Sequence, residues 1–358
     1  MKEEGDLVHV RSNHLFNEER LTRYLRKELG GFPGKLEVRQ FGYGKSNPTF
    51  LLSDGHREYV LRKKPRGKLL PSAHAVEREY RILKTLNRTD VPVPETYLLC
   101  EDESVIGTPF YIMERVKGRV FRNITLEEIP VREERAAIFS SMADTLVRIH
   151  QVDCEALGLA DYGKPGNYMA RQTSRWTKQY KASWTQDIES MNNLMKWLRD
   201  NIPEDDTTTI AHGDFRLENL VIHPVEPRVA AVLDWELSTI GHPLADLAYN
   251  CMVYYFPADR KLRPGYKGLN LAYLGIPTER EYVEAYCRRT GRSGIPNWNF
   301  FVAFSIFRLA AIIQGVYKRG LDGIASFESA SLYGSQVRML ADIGWQVASL
   351  KSAPGHYS

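Results

Sequence analysis

Cysteine is scarce. The four in 358 residues, Cys100, Cys154, Cys251 and Cys287, stand far apart with no CxxC pair. That leaves no basis for a disulfide framework or a cysteine zinc cluster and fits a reducing compartment. Charge of one sign is not in strong excess either: 48 Lys and Arg against 44 Asp and Glu give a formal +4. A nucleic-acid binder with a phosphate-tracking stripe usually carries more, so nucleic acid is not an expected partner, whereas acidic small molecules stay open. The opening MKEEGDLVHVRSNHLF has no apolar run and contains acids, which argues against a secretory or transit leader and for a cytoplasmic location. The most apolar stretch, Trp298 to Tyr317, has a membrane-spanning length but holds Asn299, Ser305, Arg308 and Gln314. An Arg near mid-bilayer costs at least about 2.5 kcal/mol, so a buried core helix is expected and no membrane span. A Walker loop is missing as well. Gly44-Lys45-Ser46 lacks the Gly that pattern needs at position 39, which is Arg, and the segment runs into strand-like text rather than a helix.

What is present is an ordinary globular composition, 43% hydrophobic and 26% charged, long enough for two core-forming units. Asn17 as N-cap, Leu21, Tyr24, Leu25 and Leu29 on one face and Gly30-Gly31 as a stop predict an opening helix. LEVRQFGYGKSNPTFLLSDGHREYVLRKKP reads as successive strands, with a turn near Gly42 to Pro48 and a hairpin at Asp54-Gly55. A helix over 73–87 follows, then a β pattern through ETYLLCEDESVIGTPFYIMERV. Beyond Arg132 the periodic segments are helical: 133–150, 173–198, 244–254, 279–290, 296–319 and 326–350. The exception is 211–235, where LVIH and VAAVLDW suggest a small hairpin. A β-rich lobe over 1–115 and a larger helical lobe over 116–358 are expected, with a cleft at their join.

The chemistry concentrates in His212-Gly213-Asp214-Phe215-Arg216-Leu217-Glu218-Asn219, followed fifteen positions after Asn219 by Asp234. Two carboxylates and a carboxamide emerging from loop and strand text supply oxygen ligands for Mg²⁺ and an acceptor for a hydroxyl proton. A competing reading has Asp214 and Asn219 only capping a turn.

HxDxxxxN followed by an Asp on the next strand resembles the catalytic loop of the aminoglycoside phosphotransferase and choline kinase group, relatives of the protein kinases. The resemblance covers most of the chain and implies an α+β, bilobal, protein-kinase-like fold using ATP and Mg²⁺. It implies Asp214 as catalytic base or hydroxyl-orienting carboxylate, Asn219 and Asp234 as metal ligands, and His212 as a brace for the loop. Arg216 matches a position that protein kinases give to a Lys directed at the γ-phosphate. Arg62 stands where the family carries a basic residue toward the α/β-phosphates, usually Lys. Its guanidinium keeps the charge with a different geometry. Alternation places Arg62 and Lys64 on one face and Lys63 on the other; the two lysines are either stand-ins for Arg62 or a solvated face. The helical Glu paired with the basic residue is Glu79 in preference to Glu77. Gly42, Gly44 and Ser46 correspond to a phosphate flap, and Met113, Glu114 and Val116 to the adenine-holding linker. Asp246, near the start of the helix that begins at Pro243, is read as structural, tying down the catalytic loop.

Asp234-Trp235-Glu236 replaces the protein-kinase DFG arrangement, so a small-molecule hydroxyl is the expected acceptor. FGYGKSNPTF, YVLRKKP, RQTSRWTKQY, HGDFRLENLVIHP, VLDWELSTIGHPLADLAY and NWNFF look most like the kinase-like part of some acyl-CoA dehydrogenase family members. That implies a 4-hydroxyacyl-CoA or related hydroxy acid as acceptor, with the dehydrogenase as a separate partner. Arg171, Arg175, Lys178 and Lys181 recur at helical spacing around Trp176 and Tyr180. The first two arginines, Trp176 and Glu236 are the candidate acceptor residues, against an ordinary basic helix face. An aminoglycoside- or choline-type phosphotransferase and a nucleotide-binding pseudokinase or scaffold are the alternatives.

Overall fold

In the computed structural model the described residues are 7–30, 35–42, 47–67, 74–259, 264–323 and 327–350, the side chains of 327–332 excepted. Along the chain run β1 (Leu7–Val8), α1 (Glu18–Leu29), β2 (Glu37–Phe41), β3 (Thr49–Ser53), β4 (Glu58–Lys63), α2 (Val76–Leu86), β5 (Thr96–Cys100), α3 (Glu103–Ile106) and β6 (Phe110–Glu114). Then come α4 (Arg132–His150), α5 (Tyr168–Ala182), α6 (Glu189–Asp200), β7 (Thr209–Ala211), β8 (Leu220–Ile222), β9 (Val229–Val232) and β10 (Thr239–Gly241). The remainder is helical: α7 (Pro243–Cys251), α8 (Leu271–Leu274), α9 (Glu279–Thr290), α10 (Trp298–Leu321) and α11 (Phe327–Ser349). Contacts divide the chain into one compact unit ending at Arg122 that also takes in Leu217–Ser238, and a second made of Asn123–Arg216 with Thr239 onward.

The first unit is built on an antiparallel sheet of order β1-β2-β3-β4-β6-β5. The α1 N-terminus is capped as its sequence predicts, Asn17 Oδ1 accepting from Arg20 N at 2.8 Å, and Gly30 ends it at φ +61°. Leu21 and Leu25 of α1 bury against Phe50, Leu52, Leu61, Phe110 and Ile112. The expected hairpin forms at Asp54, whose Oδ1 accepts from His56 N and Arg57 N. Val105 and Ile106, expected in a strand, lie in α3, because Asp102 caps Ser104 N at 2.8 Å and Gly107 (φ +87°) closes the single turn.

Residues 217–238 join this unit through backbone bonds. Arg119 N donates to Ile222 O (2.6 Å), Ile222 N to Arg119 O (2.8 Å), and Val232 N to Pro92 O (2.8 Å). Gly118 makes the approach possible, since a Cβ there would stand 2.3 Å from Ile222 O.

In the second unit β7 pairs with β10, an element absent from the sequence reading. The expected helix over 173–198 is two helices. Gln314 of α10 donates to Ser183 O (2.6 Å) and Thr185 Oγ1 (3.0 Å), holding the intervening turn open. α9 starts with the Thr278/Glu281 capping box and α7 with Pro243 behind the His242 cap. α10 is long and apolar enough to cross a membrane, yet 72% of its most apolar window is buried in the protein, through Phe300, Phe301, Phe304 and Phe307 among others. It serves as the core helix the sequence predicts. All four cysteines are free.

β4 is covered on both faces, which overturns the solvated-face reading of Lys63. The side chain is fully buried, and burial, with Arg66 adding to it, lowers its pKa from 10.5 to about 8. The folded chain therefore gives up this proton before the unfolded chain does, and stability rises with pH across about 8 to 10.5. Lys63→Met should stabilise the protein at pH 7 by on the order of 3 kcal/mol, with the gain shrinking toward pH 10. Urea unfolding of both proteins at pH 7, 9 and 10 measures it, and a variant less stable than its parent at pH 7 contradicts the argument.

Candidate active site

Alternation along β4 turns Arg62 and Lys64 toward α2, where each meets its own carboxylate: Arg62 Nε reaches Glu79 Oε2 at 2.8 Å and Lys64 Nζ reaches Glu77 at 2.8 Å. The pairing expected of Glu79 is thus formed. Arg62 Nη2 also binds Asp234 Oδ1 (2.6 Å) and approaches Glu236 Oε2 (3.5 Å), while Nη1 lies 3.4 Å from Thr49 Oγ1. Burial works against the Arg62 charge, but Glu79, then Asp234 and Glu236, outweigh it and raise the guanidinium pKa. Glu79 is 2% exposed, and its carboxylate depends on Arg62 against a burial that pushes it toward the neutral form.

The β8–β9 hairpin explains how Asn219 and Asp234 come together. Leu220 pairs with Val232, so Asn219 just before β8 and Leu233-Asp234 just after β9 lie side by side, tied by Leu233 N donating to Asn219 O at 2.8 Å. Asp234 takes the left-handed conformation (φ +66°), uncommon for a residue other than Gly and frequent at functional turns. Glu236, in the turn Trp235–Leu237, accepts from Asn47 Nδ2 at 3.3 Å, and Asn47 Oδ1 in turn lies 3.0 Å from His74 Nδ1. Glu236 therefore belongs with Arg62 in the first unit. Asn47 and His74 carry no signal in the sequence, where Asn47 falls in the turn expected near 42–48 and His74 at the start of the helix expected over 73–87; that helix begins only at Val76, leaving His74 before it at φ +60°.

In the second unit Asp214 is held by its backbone surroundings. Its N–H donates to His212 Nδ1 (3.2 Å), the bracing role expected of His212. Buried Asp246 accepts from His212 N (2.5 Å) and Gly213 N (2.7 Å), tying down the loop as expected. Burial opposes the Asp246 charge, but His150, His212 and the Gly213 N–H overcome it and hold its carboxyl below the usual carboxylate range. Arg216 Nε reaches Asp214 Oδ2 at 3.3 Å. Arg308 Nη2 of α10 donates to Gly213 O at 2.9 Å, a contact the sequence hid because Arg308 looked only like a flaw in an apolar helix.

The α5 candidates separate. Arg171 is committed to carbonyls, its Nη2 bonding Lys164 O at 2.5 Å, whereas Lys178 and Lys181 are exposed. Arg175 lies 5.6 Å from the centre of the Trp176 ring. In the first unit, Gly42 O accepts from Arg11 Nη2 at 3.0 Å, while Gly44 and Ser46 lie outside the described residues. Met113 is buried in β6 opposite Val60, Glu114 N donates to Glu95 O at 2.8 Å, and Val116 follows in the irregular stretch after β6.

The family model described as Phosphotransferase enzyme family (APH) matches residues 37–285. The chain belongs to this family. It is 47% identical over 342 residues to mouse acyl-CoA dehydrogenase family member 10, covering 95% of this chain and 32% of that protein. It is 46% identical over 351 residues to human acyl-CoA dehydrogenase family member 11, covering 96% and 45%. The chain thus spans a third to just under half the length of these relatives. A solved Ralstonia eutropha JMP134 structure of an aminoglycoside phosphotransferase-like protein matches at TM-score 0.85 and 49% identity, over 93% of this chain and 98% of that one. Choline kinase from Cryptosporidium parvum Iowa II shares the fold at TM-score 0.64 and 14% identity, over 92% and 96%. Aminoglycoside phosphotransferase APH(4)-Ia does so at TM-score 0.59 and 16% identity, over 92% and 99%. The kinase-like fold expected from the motifs is the fold of the chain.

Because Arg62 serves three carboxylates, its removal leaves buried Glu79 uncompensated. Arg62→Met should destabilise the protein by about 3–5 kcal/mol, and a simultaneous Glu79→Leu should recover part of that loss. Guanidinium unfolding of the two single variants and the double variant tests this. Loss of less than about 1 kcal/mol in Arg62→Met would show that the pairs are idle.

Proposed function

We propose that the chain is an ATP- and Mg²⁺-dependent kinase that transfers the γ-phosphoryl group to a hydroxyl of a small molecule, a hydroxyacyl-CoA or related hydroxy acid. The observation that carries this reading is the convergence of Asn219 and Asp234 at the base of the β8–β9 hairpin, with Asp234 on Arg62. Asn219 and Asp234 offer hard oxygen donors. No group of three or more His, Cys, Asp or Glu side chains arranged to hold a metal occurs among the described residues. Few oxygen ligands with room for phosphates and water suit Mg²⁺. When bound there, the ion would neutralise charge on the phosphate oxygens.

The chain's own groups do the rest. Arg62 presents a planar fork to phosphate oxygens, pre-positioned by Glu79. The backbone of Glu114 and Val116, with Met113 behind, holds the base. Gly42 stands at the edge of the turn assigned to the phosphates. Asp214 orients the acceptor hydroxyl and takes its proton as the new O–P bond forms and the bond from the γ-phosphorus to the departing ADP breaks. Arg216, already against Asp214, places positive charge beside the transferring group. Nucleotide use is supported by APH(4)-Ia, crystallised with AMP-PNP and hygromycin B and with ADP and hygromycin B. The acyl-CoA acceptor is supported by the names of the relatives. In those proteins the dehydrogenase name belongs to the same polypeptide as the matching region, so the separate dehydrogenase partner expected from the sequence is not proposed.

Asp214→Asn should lower phosphoryl transfer by roughly 10²–10⁴-fold and leave the MgATP dissociation constant within twofold. Mass spectrometry of an acceptor panel for a gain of one phosphate, paired with calorimetry for ATP, reads both. Wild-type binding of ATP with no acceptor phosphorylated would favour a pseudokinase instead.

A further inference from the structure

Arg308 and Arg175 both approach one indole. Each guanidinium carbon is 5.6 Å from the centre of the Trp176 ring, and that of Arg308 is also 5.1 Å from the centre of Tyr249. Aromatic faces hold a guanidinium in place but leave its charge uncancelled. In this unit Arg289 pairs with Asp144 and Arg292 with Asp205 at 3.3 Å, while Arg135 and Arg171 are spent on backbone carbonyls. Among the described residues neither Arg175 nor Arg308 has a carboxylate partner. Arg308 spends Nη2 on Gly213 O, while its Nε is buried without a hydrogen-bond partner, as are Trp176 Nε1 and Thr173 Oγ1 on α5. Thr173 is 3% exposed. Guanidinium and indole nitrogens only donate, so the group that satisfies them must accept.

We propose that Arg308, Arg175 and the Trp176 N–H form an anion clamp in the second unit, and that the acceptor of the kinase reading carries a carboxylate or phosphate held there. The acceptor's role rests on that reading; the clamp itself rests on geometry alone. A cationic acceptor would meet two arginines without a direct carboxylate partner, so amine-rich sugars and quaternary amines are disfavoured. Arg171 adds to the same field: burial, and then Asp246, raise the pKa of the Tyr168 phenol, while the charges of Arg308, Arg175 and Arg171 act against that rise. The bond from Arg308 to Gly213 O builds the clamp onto the loop that carries Asp214.

The test measures binding of four probes by ligand-observed NMR to the full chain with Mg²⁺ and AMP-PNP: 4-hydroxypentanoate, 4-hydroxypentanoyl-CoA, neutral 1,4-pentanediol and cationic choline. At least one anionic probe should bind about tenfold tighter than the diol and choline. Arg308→Met and Arg175→Met should each remove that preference while AMP-PNP affinity stays within twofold. Dependence confined to the free acid identifies the carboxylate as the held group, and dependence confined to the thioester identifies the CoA phosphates. Arg175 is exposed, so its variant keeps the test valid should Arg308→Met fail to fold. No anionic probe bound, unchanged preference in both variants, or tighter binding of diol or choline overturns the clamp. With ATP in place of AMP-PNP and mass spectrometry of the probes as a second readout, loss of anion binding in the variants without phosphorylation of any probe by wild type keeps the clamp and sinks the kinase reading. Phosphorylation indifferent to both arginines does the reverse.

Discussion

One guanidinium ties together three carboxylates that arrive from distant parts of the chain. Arg62 sits on a central strand, Glu79 on the helix packed against it, and Asp234 and Glu236 on the turn that follows the β8–β9 hairpin. Three negative groups this close would repel one another, and Glu79 in particular is buried beyond the reach of water. With Arg62 in place, the turn after β9, α2 and β4 are tied at one point. Both candidate metal ligands, Asn219 and Asp234, then stand on a scaffold where one guanidinium faces three carboxylates, so the local charge stays negative. The exchange of the family's usual Lys for Arg becomes intelligible, since a compact ammonium could not reach Glu79 and Asp234 with separate parallel donors as Nε and Nη2 do.

The loop bearing Asp214 is held by opposite charges on its two sides. The Gly213 N–H goes to Asp246 and the Gly213 C=O to Arg308, so the peptide planes that flank Gly213 are each pinned by a side chain from a different helix. Gly213 itself has φ +83°, a conformation that costs little for glycine. His212 completes the support by accepting from the Asp214 N–H. The result is a fixed backbone at Asp214, whose carboxylate meets Arg216 Nε at 3.3 Å.

Much of this was legible in the residues. Asn17 and Gly30 bound α1, the alternation of Arg62, Lys63 and Lys64 assigned their faces, and Glu79 rather than Glu77 met Arg62. Those features are local, governed by a cap, a period of two and a helix turn. What escaped detection depended on tertiary partners. Lys63 is buried because β4 is central, which no single strand reveals. The break between α5 and α6 exists because Gln314, more than a hundred positions later, captures the carbonyl of Ser183. Arg308 stood in the most apolar helix as an apparent exception, and Asn47 and His74 acquired meaning only when Glu236 was found beside them.

The claim with most resting on it is that Asp234 is the carboxylate through which the metal strengthens nucleotide binding next to Arg62. Calorimetric titration of ATP with and without Mg²⁺, in wild type and in Asp234→Asn, tests it most directly. Wild-type affinity should rise at least about tenfold when Mg²⁺ is added, and Asp234→Asn should bind ATP with nearly the same constant in both conditions. An Asp234→Asn protein whose affinity still rises with Mg²⁺ as the wild type's does would contradict the assignment.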